Sequence, residues 1–232
     1  MWTAGADGCK GGWVVALCCV ENGAVRARIV PSARALLALP ERPAVLGVDL
    51  PIGLPERAEH GGRACDRAAR RLLGRPRASS VFSPPVRAAL GAGSYDAAQE
   101  ANRQSSREQI GLSKQSYHLI PQICALDGVL TPPRQAFARE VHPEVSFAMM
   151  NGGHGLPEGK KTPEGRAHRR ALLSEAGFAT PEARLPGAAP DDLLDACAAC
   201  WTAGRIARGR AERLPERRPP VDATGLRMEI WV

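Results

Sequence analysis

Long apolar runs are missing from this sequence of 232 residues, and the longest, Trp13 to Val20, is only eight residues. A membrane-spanning helix needs about 20, so no span and no membrane partner is expected. The N-terminus lacks the charged start and small-residue cleavage site of a signal peptide. The seven cysteines are odd in number and have no even spacing, the usage of a reducing compartment. Together these absences point to a soluble, cytoplasmic protein. Lysine is scarce, with Lys10, Lys114, Lys160 and Lys161 the only ones among 31 basic residues. Aromatics make up only 4% and none alternates with the basic residues, so stacking on single-stranded bases finds no support in the sequence. The one Cys-x-x-C, Cys197 and Cys200, lies in an alanine-rich helical stretch. It has no second pair with which to hold zinc and reads as two core thiols.

What is present is the balance of an ordinary globular protein, 44% apolar and 24% charged. The length suits one domain over residues 1–232. Thr3–Asp7 reads as a short strand ending in a glycine turn, Gly8 to Gly12. Trp13–Val20 and Val45–Leu50 are apolar on both faces, as central strands are, whereas Ala24–Val30 alternates like an edge strand. Ser32–Leu39 is a short helix with serine as its cap. From about residue 55 to 131 the pattern turns helical and polar, an insertion with its clearest helices at Asp96–Gln109 and Lys114–Leu126. Phe137–Val141 returns to the sheet. Helices follow at Pro163–Ala176 and Asp191–Arg208, then a last alternating strand at Leu226–Val232. The fold class is α/β.

Acidic residues stand where a buried element should not tolerate them. Asp7 ends the first strand, Asp49 ends the fourth, and Glu144 follows His142-Pro143 just past the fifth. Asp191, Asp192 and Asp195 open the small-residue helix, and the i, i+3 spacing puts Asp192 and Asp195 on one face. Each has an ordinary alternative: Asp7 and Asp49 as turn formers, Asp191 or Asp192 as the helix cap, Glu144 as a helix-start acid. Asp195 is the hardest to explain that way, because it lies a turn inside an otherwise apolar helix. If the first and fourth strands are parallel neighbours, Asp7 and Asp49 meet at one sheet end, within reach of the late helix. Clustered carboxylates repel and are usually compensated by a divalent ion. Two Mg²⁺ or Mn²⁺ ions held this way would stabilise both the attacking and the leaving oxygen of a phosphodiester.

The formal charge of +7 suits a polyanionic partner, although an arginine- and alanine-rich composition also follows from a GC-rich genome. Arg63, Arg67, Arg70 and Arg71 recur at helical spacing and form a basic stripe suited to phosphates, or a solvated helix face laced with Asp66. Lys160 and Lys161, with Arg166, Arg169 and Arg170, form a second basic cluster, and Lys10 lies within the first glycine turn. A Ser79–Ser83 loop could touch a ligand. Nucleic acid is the expected partner, and oligomeric state is not legible.

At GADGCKGGWVVA, VDLPIGLP, RACDRAARRLLG, SSVFSPP, EVHPEVSFAMMNG and DDLLDACAACWTA the chain resembles the RNase H-like nuclease family catalogued as domain of unknown function 429. The resemblance runs from about Asp7 to the closing GLRMEIWV. It implies a five-stranded mixed sheet of order 3-2-1-4-5 with strand two antiparallel. It also implies that Asp7 is the first-strand acid bridging the metals, that Asp49 is the fourth-strand acid, and that Asp192 and Asp195 match the paired helix acids of RuvC-type junction resolvases. Those resolvases carry glutamate where this chain has Asp49, and His142 and Glu144 have no clean counterpart there. A metal-dependent nuclease is therefore expected. The alternatives are a non-catalytic nucleic-acid or nucleotide-binding module on the same fold, and a nucleotide-phosphate hydrolase of the actin-like ATPase type. The last usually pairs two such domains.

Overall fold

The continuously apolar stretches become the centre of a sheet. A computed structural model describes residues 1–232. Strands β1 (Trp2–Cys9), β2 (Gly12–Cys19) and β3 (Val25–Val30) form an antiparallel meander. Helix α1 (Ala33–Leu36), capped by the Ser32 hydroxyl, carries the chain across to β4 (Val45–Val48), which pairs parallel with β1. The chain then leaves the sheet through α2 (Ala64–Arg77), α3 (Tyr95–Gln104), α4 (Lys114–His118) and α5 (Ile120–Asp127), and returns as β5 (Ala138–Glu140), parallel to β4. Helices α6 (Pro143–Met150), α7 (Pro163–Glu175) and α8 (Pro190–Ala207) follow, and β6 (Arg213–Leu214) and β7 (Ile230–Trp231) close the chain as a separate ribbon. The sheet order is β3-β2-β1-β4-β5, the 3-2-1-4-5 order that the resemblance implies. No helix is long and apolar enough to cross a membrane.

Strand alternation sends Ala4, Ala6, Leu46 and Val48 to one face, where they pack with Leu36 of α1 and with Ile123 and Leu126 of α5. The other face is covered by α8, which seats Leu194, Ala196 and Cys197 against Val14 and Ala16. This helix lies unusually close to the sheet because of two glycines. Gly5 and Gly47 are partners in the β1–β4 register. A Cβ on Gly5 would collide with the backbone of Ala196 and Cys200, and one on Gly47 would lie 2.6 Å from the Ala199 carbonyl oxygen. The small residues that give α8 its composition are what lets it meet that ridge. Cys197 and Cys200 are both buried there as free thiols, as the lone Cys-x-x-C suggests.

Several element boundaries differ from the sequence reading: the first strand does not end at Asp7 but stays paired to Cys9, which leaves only Lys10 and Gly11 in the turn. Lys114–Leu126 is two helices, broken at Leu119 ahead of Pro121, which has no N–H to donate and so opens α5 instead of continuing α4. The helix expected to reach Gln109 stops at Gln104, where the Ser105 hydroxyl donates to the Asn102 carbonyl. The last strand is confined to Ile230–Trp231, because the N–H groups before it are already taken: Leu226 by Asp222, Arg227 by Gln135 and Met228 by Pro220.

Candidate metal centre

Asp7 has the same strand parity as Gly5, so it points toward α8, and the same holds for Asp49 and Gly47. The Asp49 N–H donates to the Ala6 carbonyl at 2.9 Å and extends the parallel pairing, which sets the two aspartates side by side. The glycine ridge draws in the N-terminal turns of α8. Oxygens of Asp7, Asp49 and Asp195 all lie within 4.8 Å of one another. Asp195 is buried, Asp7 and Asp49 are half-buried, and all three open on a cavity of about 350 Å³ that Glu144, Lys160 and Asp192 also line.

Burial and mutual repulsion hold these acids above the ordinary carboxylate range. Burial pushes Asp49 up to about 6, with Lys160 opposing and Glu144 adding to the rise. Asp195 is pushed up to about 7 by burial, against the Lys160 ammonium and with the Asp49 charge. Asp7 is raised well above its usual value by burial and then by Asp49 and Asp195. Two buried carboxylate oxygens have no partner, Asp195 Oδ1 and Glu144 Oε2. An unpaired buried carboxylate oxygen is costly, and here both belong to the lining of one cavity. These are the atoms a divalent cation would satisfy, and hard oxygen donors are what Mg²⁺ and Mn²⁺ take.

Asp192 differs from the other three. Its Oδ2 accepts from the Ala189 N–H at 2.7 Å, so it caps α8 and lies outside the close group while still lining the cavity. Glu144, in the first turn of α6, is held by Arg169 at 2.6 Å. His142 places Nε2 3.3 Å from the Ser80 carbonyl, and burial pushes its imidazole down, against the charges of Glu144 and Asp195.

The basic residues divide into those on the surface and those the fold has used. Arg63 is not on a surface stripe: it is buried, bonded to both Asp66 and Glu140 and to the carbonyls of Ile52 and Gly53. A helix start packed against the sheet edge has no water to solvate its charge, so the guanidinium turns inward to the acids there. Arg169 is fully buried as well, donating to Glu144 and lying over the Phe147 ring. Arg67 reaches Glu59 and the Gly62 carbonyl, and Arg70 brackets the loop at Val81 and Ser83. Lys10, Arg71 and Lys161 are exposed.

Lys160 is the feature that helical spacing does not reveal. It comes from the loop between α6 and α7, and its Nζ lies 2.5 Å from Asp195 Oδ2. The basic cluster with Lys161 marks Lys160 in the sequence, but nothing there shows that its partner is Asp195. Its ammonium occupies part of the field that a divalent ion would use. Lys160→Met is therefore expected to destabilise the metal-free protein and to tighten Mn²⁺ binding at least tenfold. A unit charge about 4 Å away is worth roughly 4 kcal/mol at an effective dielectric constant near 20, part of which water screens. Calorimetry on the two proteins checks this, and equal affinities would show that the lysine does not oppose the ion.

No curated protein and no solved structure matches the chain. A family model described as protein of unknown function (DUF429) does match, over residues 5–219, and the chain belongs to that family.

Proposed function

We propose that this protein is a divalent-metal-dependent nuclease of RNase H-like fold that hydrolyses phosphodiester bonds of nucleic acid. The observation that carries the reading is the convergence of Asp7, Asp49 and Asp195 within 4.8 Å, with a buried Asp195 oxygen left unpartnered. These three would hold Mg²⁺ or Mn²⁺, with Asp192 and Glu144 at the cavity wall. The ion would supply Lewis-acid stabilisation of the phosphodiester and an activated water. The chain's own residues do the rest. Asp192 fixes the start of α8 and with it the position of Asp195. Arg169 keeps Glu144 facing the cavity. Lys160 balances the negative charge and is 38% exposed in its side chain, free enough to turn to an incoming phosphate. Lys10, Arg71 and Lys161 supply a surface for the flanking backbone, whose binding weakens steeply with salt.

The test is Mn²⁺ titration by calorimetry on the wild type and on Asp7→Asn, followed by single- and double-stranded DNA and RNA cleavage assays. Saturable binding and metal-dependent cleavage, both lost in the variant, are expected. Absence of saturable binding at millimolar Mn²⁺ together with absence of cleavage would overturn the reading. One observation favours a second reading, a nucleic-acid-binding module without catalysis: the Lys160–Asp195 pair already neutralises part of the cluster. That reading predicts undiminished nucleic-acid binding when Asp7, Asp49 and Asp192 are all changed to Asn.

A further inference from the structure

The chain has ten aromatic residues, and only one of them, Phe82, is exposed, at 41%. A single exposed apolar side chain is common, but this one is held out by a bracket. On one side of it Arg70 donates to the Val81 carbonyl at 2.5 Å, and on the other to the Ser83 hydroxyl at 3.1 Å. The Ser83 carbonyl in turn accepts from the Ser116 hydroxyl at 2.7 Å. Val81 is buried, and Pro84 and Pro85 stiffen the exit. The loop is thus fixed on both sides while the ring between faces solvent.

Its position gives the arrangement a use. Phe82 and Val81 line the cavity of the carboxylate cluster and also a second cavity of about 350 Å³. The ring therefore stands on the ridge between the two. The second cavity offers hydrogen-bonding groups, among them His60, Ser79, Ser83 and Ser113. A strand whose phosphate lies at the carboxylates would run along the same cavity wall toward that ridge.

We propose that Phe82 is a stacking platform for a nucleobase adjacent to the scissile phosphate, and that the second cavity receives this base and its sugar. This rests on the nuclease reading and names the ligand of a neighbouring subsite. It also assigns the substrate class: a strand with an unpaired base at that position, since a base inside a duplex has no free face. Arg70 acts as a positioning residue for the platform and not as a phosphate contact.

The experiment is fluorescence anisotropy in saturating Mn²⁺, with labelled single-stranded DNA and RNA of mixed sequence whose linkages are phosphorothioates that resist hydrolysis, and with the same strands made abasic. Phe82→Ala is expected to weaken binding of the base-bearing strand about 5- to 150-fold, the range for one stacked base. Phe82→Trp should bind as well as wild type. On the abasic strand the difference between wild type and Phe82→Ala should vanish. Equal affinities of wild type and Phe82→Ala for the base-bearing strand would overturn the platform and leave the nuclease reading intact. An equal loss on both strands would also overturn it, since the residue would then act through the loop and not through the base. If wild type binds no strand at all, both the platform and the nucleic-acid reading fall.

Discussion

Arg63→Met is expected to cost about 3–5 kcal/mol of stability, the usual effect of breaking a buried ion pair by removing one partner. The Arg63 side chain is only 1% exposed and has no solvent to share its charge with. Its Nη2 lies 2.7 Å from Asp66 and 2.5 Å from Glu140, and its Nη1 donates to the Ile52 and Gly53 carbonyls at 2.9 and 3.1 Å. Methionine fills the volume but leaves two buried carboxylates facing each other. The consequence reaches the cluster, because Ile52 and Gly53 belong to the turn that follows Asp49. Loosening that turn should weaken Mn²⁺ binding as well. Urea unfolding measures the first effect. Adding Asp66→Asn and Glu140→Gln should recover most of the stability, since a neutral network no longer needs the cation. A loss below about 1 kcal/mol in the single variant would show that water reaches the acids.

That same arginine marks where sequence reasoning stops. Arg63, Arg67, Arg70 and Arg71 follow one helical period, but a period does not say which of its members faces the core. The acid that draws Arg63 inward, Glu140, is 77 residues away on β5. The partner of Lys160 is hidden for a similar reason: the lysine belongs to a loop without period, and only the packing of α8 on Gly5 and Gly47 brings Asp195 under it. Phe82 escapes because exposure is a property of the folded loop. What could be read was set by burial. Trp13–Val20 and Val45–Leu50 are apolar on both faces since both faces are covered, so the central strands were legible. Asp7, Asp49 and Asp195 were legible as charges interrupting those same apolar elements. The meeting of Asp7 and Asp49 followed from the parallel pairing of β1 with β4, whereas the choice between Asp192 and Asp195 depends on the glycine ridge under α8 and on the local turn at Ala189.

The cluster makes the stability of the metal-free protein depend on pH with a definite sign. Asp195 is held at about 7 and Asp49 at about 6, both above the ordinary value near 3.9 that an unfolded chain restores. Between those values the folded state binds more protons than the unfolded one, so stability falls as pH rises. The cost is absent below about pH 4 and complete above about pH 7. At about 1.4 kcal/mol per pKa unit, a carboxylate held at about 7 costs the fold about 4 kcal/mol when ionised, and the acids share one repulsion, so their costs do not add. Carboxylates elsewhere act oppositely, Glu41 being held down by its bond to Arg28 and Asp222 by bonds to backbone N–H groups, Thr224 and Arg87. The clean observable is therefore the difference between Asp7→Asn and wild type in EDTA. Asp7 repels Asp49 and Asp195, and the Lys160 ammonium, paired directly to Asp195, offsets only part of that repulsion. The variant should match wild type near pH 4 and exceed it by about 1–3 kcal/mol at pH 8, a part of the shared cost. Saturating Mn²⁺ should reverse the order at pH 8, because an ion that binds only the folded wild type stabilises it by mass action. A difference that stays constant between pH 4 and 8 would mean that the three carboxylates do not share a field, and the metal centre would lose its physical basis.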